Sequence, residues 1–113
     1  MRVAVKIGPG RYLLLDASEI YYIEGARDDA LLRTARKRRY RTEASLPAWE
    51  KRFRGAGFFR IHRSFLVNLD RVREVRLREG DRNDWELKLS PPVNVVLPVG
   101  RAYVAAMRKA LGV

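Results

Sequence analysis

Short runs of strict apolar alternation, broken every few residues by Gly, Pro, Asp or Ser, dominate this chain. Val3, Val5 and Ile7 alternate with Ala4 and Lys6 before Gly8-Pro9-Gly10 turns the backbone. That two-residue period is the mark of a half-buried strand. Tyr12 to Leu15, Ile20 to Ile23 and Ala30 to Thr34 follow as short apolar or aromatic runs, and Lys37 to Thr42 is charged yet strand-like around Tyr40. Farther on, Val75 and Leu77 face away from Glu74, Arg76 and Arg78. Beyond a polar turn from Gly80 to Asp84, Trp85, Leu87 and Leu89 alternate with Glu86 and Lys88, which predicts a hairpin. Val93, Val95, Leu97 and Val99 form one more alternating face, and Pro98, which cannot donate to a ladder, places that strand at a sheet edge.

Two segments break the period. Ser45 precedes Leu46-Pro47 as a helix N-cap, and Leu46, Trp49 and Phe53 follow helical spacing, predicting a short amphipathic helix over about residues 45–54. Val104, Met107 and Leu111 predict a second over about 101–111, with Gly112 as its cap. Eight or nine strands with connections too short for parallel crossovers predict a mainly β fold of antiparallel strands. At 113 residues the chain has room for a single domain, residues 1–113.

Composition narrows the function. With 47% apolar residues the chain has a core to bury, so its charge belongs to a folded scaffold. No Cys is present, which removes disulfides and thiolate metal sites and suits a cytoplasmic setting. No apolar run approaches the length of a membrane span or a signal peptide core. The formal net charge is +11, and it is unevenly placed. Arg33, Arg36, Lys37, Arg38, Arg39 and Arg41 form one basic run without an acid, and Lys51, Arg52, Arg54, Arg60 and Arg63 form another, whereas Glu79, Asp81, Asp84 and Glu86 cluster against Arg82. A solvated Arg-rich surface is the plain explanation. A phosphate-binding face is the functional one, and the concentration of bases in loops and strand ends favours nucleic acid over a membrane.

Phe58-Phe59-Arg60-Ile61-His62-Arg63-Ser64-Phe65-Leu66-Val67-Asn68-Leu69 sets two apolar anchors around a polar knot. Ser64 lies two residues from His62 without nucleophile-elbow glycines, so the segment does not read as a hydrolase, and one His with no Cys cannot build an imidazole or thiolate metal site. No enzyme activity, cofactor or metal is expected. His62 and Arg63 are equally compatible with a hydrogen-bonded strand-end cluster.

The same segment resembles the signature of LytTR DNA-binding domains, the output domains of bacterial response regulators. Ile20 to Glu24, Asp28 to Thr34, Ser45-Leu46 and Leu97 to Tyr103 resemble that family's other elements in order, so the resemblance covers about residues 10–111. It implies antiparallel strands in an extended multi-sheet arrangement and sequence-specific double-stranded DNA binding, with loops inserted in successive major grooves of direct-repeat promoter sites. A second protomer on the DNA and a receiver or sensor domain outside these residues are the implied partners. Arg63 and Arg101 correspond to family positions that reach base edges. A third contact falls in the loop from Gly25 to Ala30, where Arg27, Asp28 and Asp29 are candidates and Ala30 occupies the place of a polar reader found in some members. Gly100 stands where the family commonly has Ser. Arg60 and the basic residues Lys37, Arg38 and Arg39 are expected to neutralise phosphates. His62 and Asn68 are expected either to hold the loop or to touch DNA. An RNA or single-strand binder, stacking bases on Tyr40, is the alternative, and a protein-interaction module is a third reading.

Overall fold

The computed structural model describes residues 1–36, 39–80 and 83–113. Strand β1 (Arg2–Gly8) pairs antiparallel with β2 (Arg11–Asp16) across the Gly8–Gly10 turn. Asp16 then caps a 3-10 turn over Ala17–Glu19. Its carboxylate accepts from the Ser18 N–H at 3.0 Å, while Glu19 accepts from the Asp16 N–H at 2.7 Å. This reciprocal capping box delays the next strand, so β3 is Tyr22–Ala26 and not the Ile20 to Ile23 run.

β3 leads through a two-residue turn into β4 (Asp29–Arg33), which pairs in turn with β5 (Arg39–Thr42). Helix α1 (Leu46–Arg52) starts where the Ser45 hydroxyl accepts from the Ala48 N–H at 3.3 Å. It ends at Phe53, and the chain returns as β6 (Phe58–His62) and β7 (Phe65–Asn68). These strands complete a five-stranded sheet in the order β5-β4-β3-β7-β6. A smaller sheet holds β8 (Val72–Leu77), β9 (Trp85–Leu89) and β10 (Val96–Pro98) in the order β10-β9-β8, so Pro98 does lie on an edge strand. A 3-10 turn at Arg101–Tyr103 leads into α2 (Val104–Leu111), closed by Gly112 at φ 72°. The architecture is the expected one of antiparallel sheets with two short helices.

Alternation along the central strands divides the core in two. Ile23 of β3 lies opposite Leu66 of β7 and Leu32 of β4. All three join Val3, Val5, Leu15, Leu46, Trp49 and Phe53 in one buried cluster. Their neighbours Tyr22 and Val67 pair one step along the ladder and join Ile61, Leu87, Leu89, Leu97 and Met107 in the other. Phe53 is fully buried and stacks between Trp49 at 5.4 Å and Phe58 at 4.2 Å. Leu77, expected to share the buried face of Val75, is 43% exposed, although its ladder partner Trp85 packs against the second core.

Candidate nucleic-acid interface

Three bends meet at one end of the sheets. The middle one is the turn between β6 and β7, which carries His62, Arg63 and Ser64. The ladder slips by one residue between Arg60 and His62, and the Ile61 carbonyl accepts from the Gly100 N–H at 2.8 Å. On the other flank the Ser64 carbonyl accepts from the Gly25 N–H at 2.9 Å. The tip of the β3–β4 hairpin and the step from β10 to the Arg101–Tyr103 turn are thereby tied to either side of Arg63. Arg27, Arg63 and Arg101 are all exposed. Arg101 in particular keeps 79% of its side-chain surface in solvent.

The β3–β4 tip is tighter than the sequence suggests. Gly25 and Ala26 belong to β3, Asp29 and Ala30 to β4, and the turn itself is Arg27–Asp28, with Arg27 held at φ 60°. Such a left-handed backbone is uncommon for a residue with a side chain and marks a sharp reversal. Ala30 is fully buried in the first core, paired with Gly25 on one side and Thr42 on the other. Asp29 is engaged by Arg41 at 3.0 Å.

Arg60 serves as a brace under the middle bend. Its Nε donates to the His62 carbonyl at 2.7 Å, Nη1 to Glu50 of α1 at 2.8 Å and Nη2 to the Arg63 carbonyl at 2.5 Å. Only 14% of its side chain is exposed. A guanidinium so enclosed satisfies two turn carbonyls and neutralises a carboxylate; it is not placed as an open phosphate contact. His62 is likewise occupied. Its Nδ1 accepts from the Ser64 backbone N–H at 3.0 Å, and its ring lies 5.4 Å from that of Phe65. Burial, followed by the charges of Arg63 and Arg60, holds its pKa below the ordinary value. The neutral ring with Nδ1 as acceptor carries its proton on Nε2, which makes no hydrogen bond to the described residues.

Asn68, a candidate DNA contact, is instead a loop-holding residue. It is buried, donates from Nδ2 to the Ile20 carbonyl at 3.0 Å and accepts at Oδ1 from the Asp70 N–H at 3.1 Å. Both ends of its amide are in use inside the protein. The basic run after β4 is also divided. Arg33 is buried and donates to the Thr34 carbonyl, Arg39 lies 3.9 Å from Glu24, and Arg36 is exposed. The candidates Lys37 and Arg38 lie outside the described residues.

A Cβ on Gly100 would stand 3.1 Å from the Tyr103 ring and 3.6 Å, an ordinary contact, from the Cα of His62, so the glycine makes room for the Tyr103 ring within its own bend. Sequence reasoning missed Asp84, whose Oδ1 lies 3.5 Å from Nε of Arg101. His62, Arg78, Asp84, Trp85, Glu86 and Arg101 line one shallow cleft beside this edge.

Residues 10–112 match the model of the LytTr DNA-binding domain. The chain belongs to the LytTR family. The fold of this LytTR domain is similar to that of a solved LytTr DNA-binding domain from Bacillus cereus, with a TM-score of 0.81, 21% identity, and coverage of 99% of this chain and 97% of that one. Two curated relatives, each described as transcriptional regulatory protein BtsR, come from Salmonella typhi and from Salmonella typhimurium strain LT2. Each is 29% identical over 105 residues, which is 93% of this chain. The chain spans 41% of the length of either relative. Among the described residues no helix is long and apolar enough to cross a membrane.

Proposed function

We propose that this LytTR domain, residues 1–113 acting as one module, binds double-stranded DNA sequence-specifically and regulates transcription. Arg63 and Arg101 read base edges, and Arg27 is a third contact. The observation that supports this reading is the pair of backbone hydrogen bonds, Gly25 to Ser64 and Gly100 to Ile61, that join the three bends on which these exposed arginines stand. A planar guanidinium reaching into the major groove takes guanine O6 and N7 together. Loops inserted in successive major grooves of a direct repeat, with a second protomer on the neighbouring half-site, are the mode we infer. The regulators to which the chain is similar are longer, which supports a receiver or sensor domain supplying the signal. The single-strand alternative draws no support from Tyr40, whose half-buried ring packs against the first core.

Selection of bound duplexes from a random pool supplies the site for the test. Arg63→Ala and Arg101→Ala should each weaken binding to the selected duplex by about 1–3 kcal/mol while barely altering a scrambled one. Affinity for both duplexes should fall steeply with added salt as counterions are released. Equal losses on both duplexes would overturn base readout by these side chains.

A further inference from the structure

Arg101 does not stand alone at its bend. Pro98 of β10 pairs with Glu86 of β9, and the next ladder step joins the Val99 N–H to the Trp85 carbonyl at 2.9 Å. Continuing that register brings Asp84 alongside Gly100 and Arg101. The backbone of Asp84 is itself fixed, because its carbonyl accepts from the Arg78 N–H at 2.7 Å where the β8–β9 hairpin closes. An acid is thus held at the hairpin end just before β9, next to the exposed guanidinium, with its carboxylate 3.5 Å from Nε and 32% of its side chain exposed. The other carboxylate in the cleft, Glu86, is engaged by Arg76 at 3.3 Å.

A carboxylate at that place does two things. By occupying the Nε side of the guanidinium it leaves the two terminal nitrogens as a free fork, and it limits the rotation of a long side chain that is otherwise in solvent. Its negative charge also opposes close approach of phosphate to the same bend, so a duplex that offers Arg101 only backbone contact is disfavoured. We propose that Asp84 is a positioning residue that sets the specificity of this domain, aiming Arg101 at a base edge and taxing its use as a phosphate clamp. This inference rests on the reading of Arg101 as a base-contacting residue.

The experiment measures binding of the intact domain to its selected duplex and to a scrambled duplex at one salt concentration. The variants are Asp84→Asn, Asp84→Glu, Arg101→Ala and the double variant Asp84→Asn/Arg101→Ala. Asp84→Asn should reduce the ratio of specific to non-specific affinity by about tenfold, chiefly by tightening the scrambled complex, in line with the discrimination that one bidentate contact supplies. Asp84→Glu, which keeps the charge, should restore most of the ratio. Once Arg101 is removed, Asp84→Asn should alter both duplexes by one common factor. An equal change on the two duplexes with Arg101 present would show that Asp84 contributes only bulk charge and overturn the proposal, as would an undiminished effect of Asp84→Asn on the ratio in the Arg101→Ala background. Arg101→Ala leaving discrimination intact would instead overturn the reading of Arg101 itself, and the proposal with it.

Discussion

His62 shows how much of the interface is settled by individual atoms. The ring accepts a backbone proton at Nδ1, and the neighbouring cations are Arg60 and Arg63 on its own hairpin. Across the cleft lie Arg78 and Arg101 together with Asp84 and Glu86, the acids being engaged by Arg101 and Arg76. Burial is the largest influence and Arg63 and Arg60 add to it, so the folded-state pKa lies below the ordinary 6.5. The sign follows from proton linkage. Above about pH 6.5 the ring is neutral in folded and unfolded chains alike, and its contribution to stability is fully present. As the pH falls from there toward the folded value the unfolded chain takes up the proton first, and that contribution is lost once the folded value is passed. This is the chain's one histidine, so an NMR titration reads it without assignment. The midpoint should lie below 6.5, with the proton of the neutral form on Nε2, and His62→Gln should remove this part of the acid loss of stability. A midpoint at or above 6.5 would show that burial and the two neighbouring guanidiniums do not act on the ring as described.

At the scale of elements, the helix α1 sits on β3 through a missing side chain. A Cβ on Gly25 would meet Leu46 of α1 at 3.4 and 3.5 Å and the Ser64 carbonyl at 4.0 Å. Gly25→Ala is therefore expected to be close to neutral, because those are ordinary contact distances. Gly25→Val adds two methyl groups against Leu46 and should cost about 1–3 kcal/mol, as overpacking of a closed core does. Urea denaturation of both variants distinguishes them; equal stability would mean that α1 slides freely over the sheet. Elements of this kind were legible in the sequence wherever a local signal controls them. Ser45 with Pro47 announces α1, Pro98 announces an edge strand, and the alternation through Trp85, Leu87 and Leu89 announces β9. The capping box from Asp16 to Glu19 was equally local, yet the apolar run at Ile20 masked it. What could not be read is the partner of each arginine. Arg60 and Arg63 look alike in a basic run, and only the fold decides that one reaches Glu50 and two carbonyls while the other is left in solvent. The same holds for Arg101 and Asp84, whose pairing depends on where two strands come into register.

Taken as a whole, the molecule is elongated, 49 × 26 × 23 Å, and its two cores lie against alternate residues of the same strands. Ile23 and Leu66 serve one core, while Tyr22 and Val67, adjacent on β3 and β7, serve the other. Loss of either core would free strands on which the remaining core is built, so the two should unfold together in spite of the length of the domain. Each core has its own reporter. Trp49 is buried in the first, and Trp85 packs against the second with Arg108 over its ring at 5.0 Å. In a Trp85→Phe variant the fluorescence of Trp49 should follow the same urea transition as far-UV circular dichroism, and in a Trp49→Phe variant the fluorescence of Trp85 should do so too. Comparing probes within one variant removes the change in stability that each substitution itself brings. The outcome bears on recognition, because Arg27 and Arg63 stand on the five-stranded sheet whereas Arg101 follows the three-stranded one. Coincident transitions mean that the two sheets unfold as one unit, as a recognition edge drawn from both of them requires. A Trp85 transition that precedes the loss of secondary structure would mean that the smaller sheet opens alone, carrying Arg101 away from Arg63.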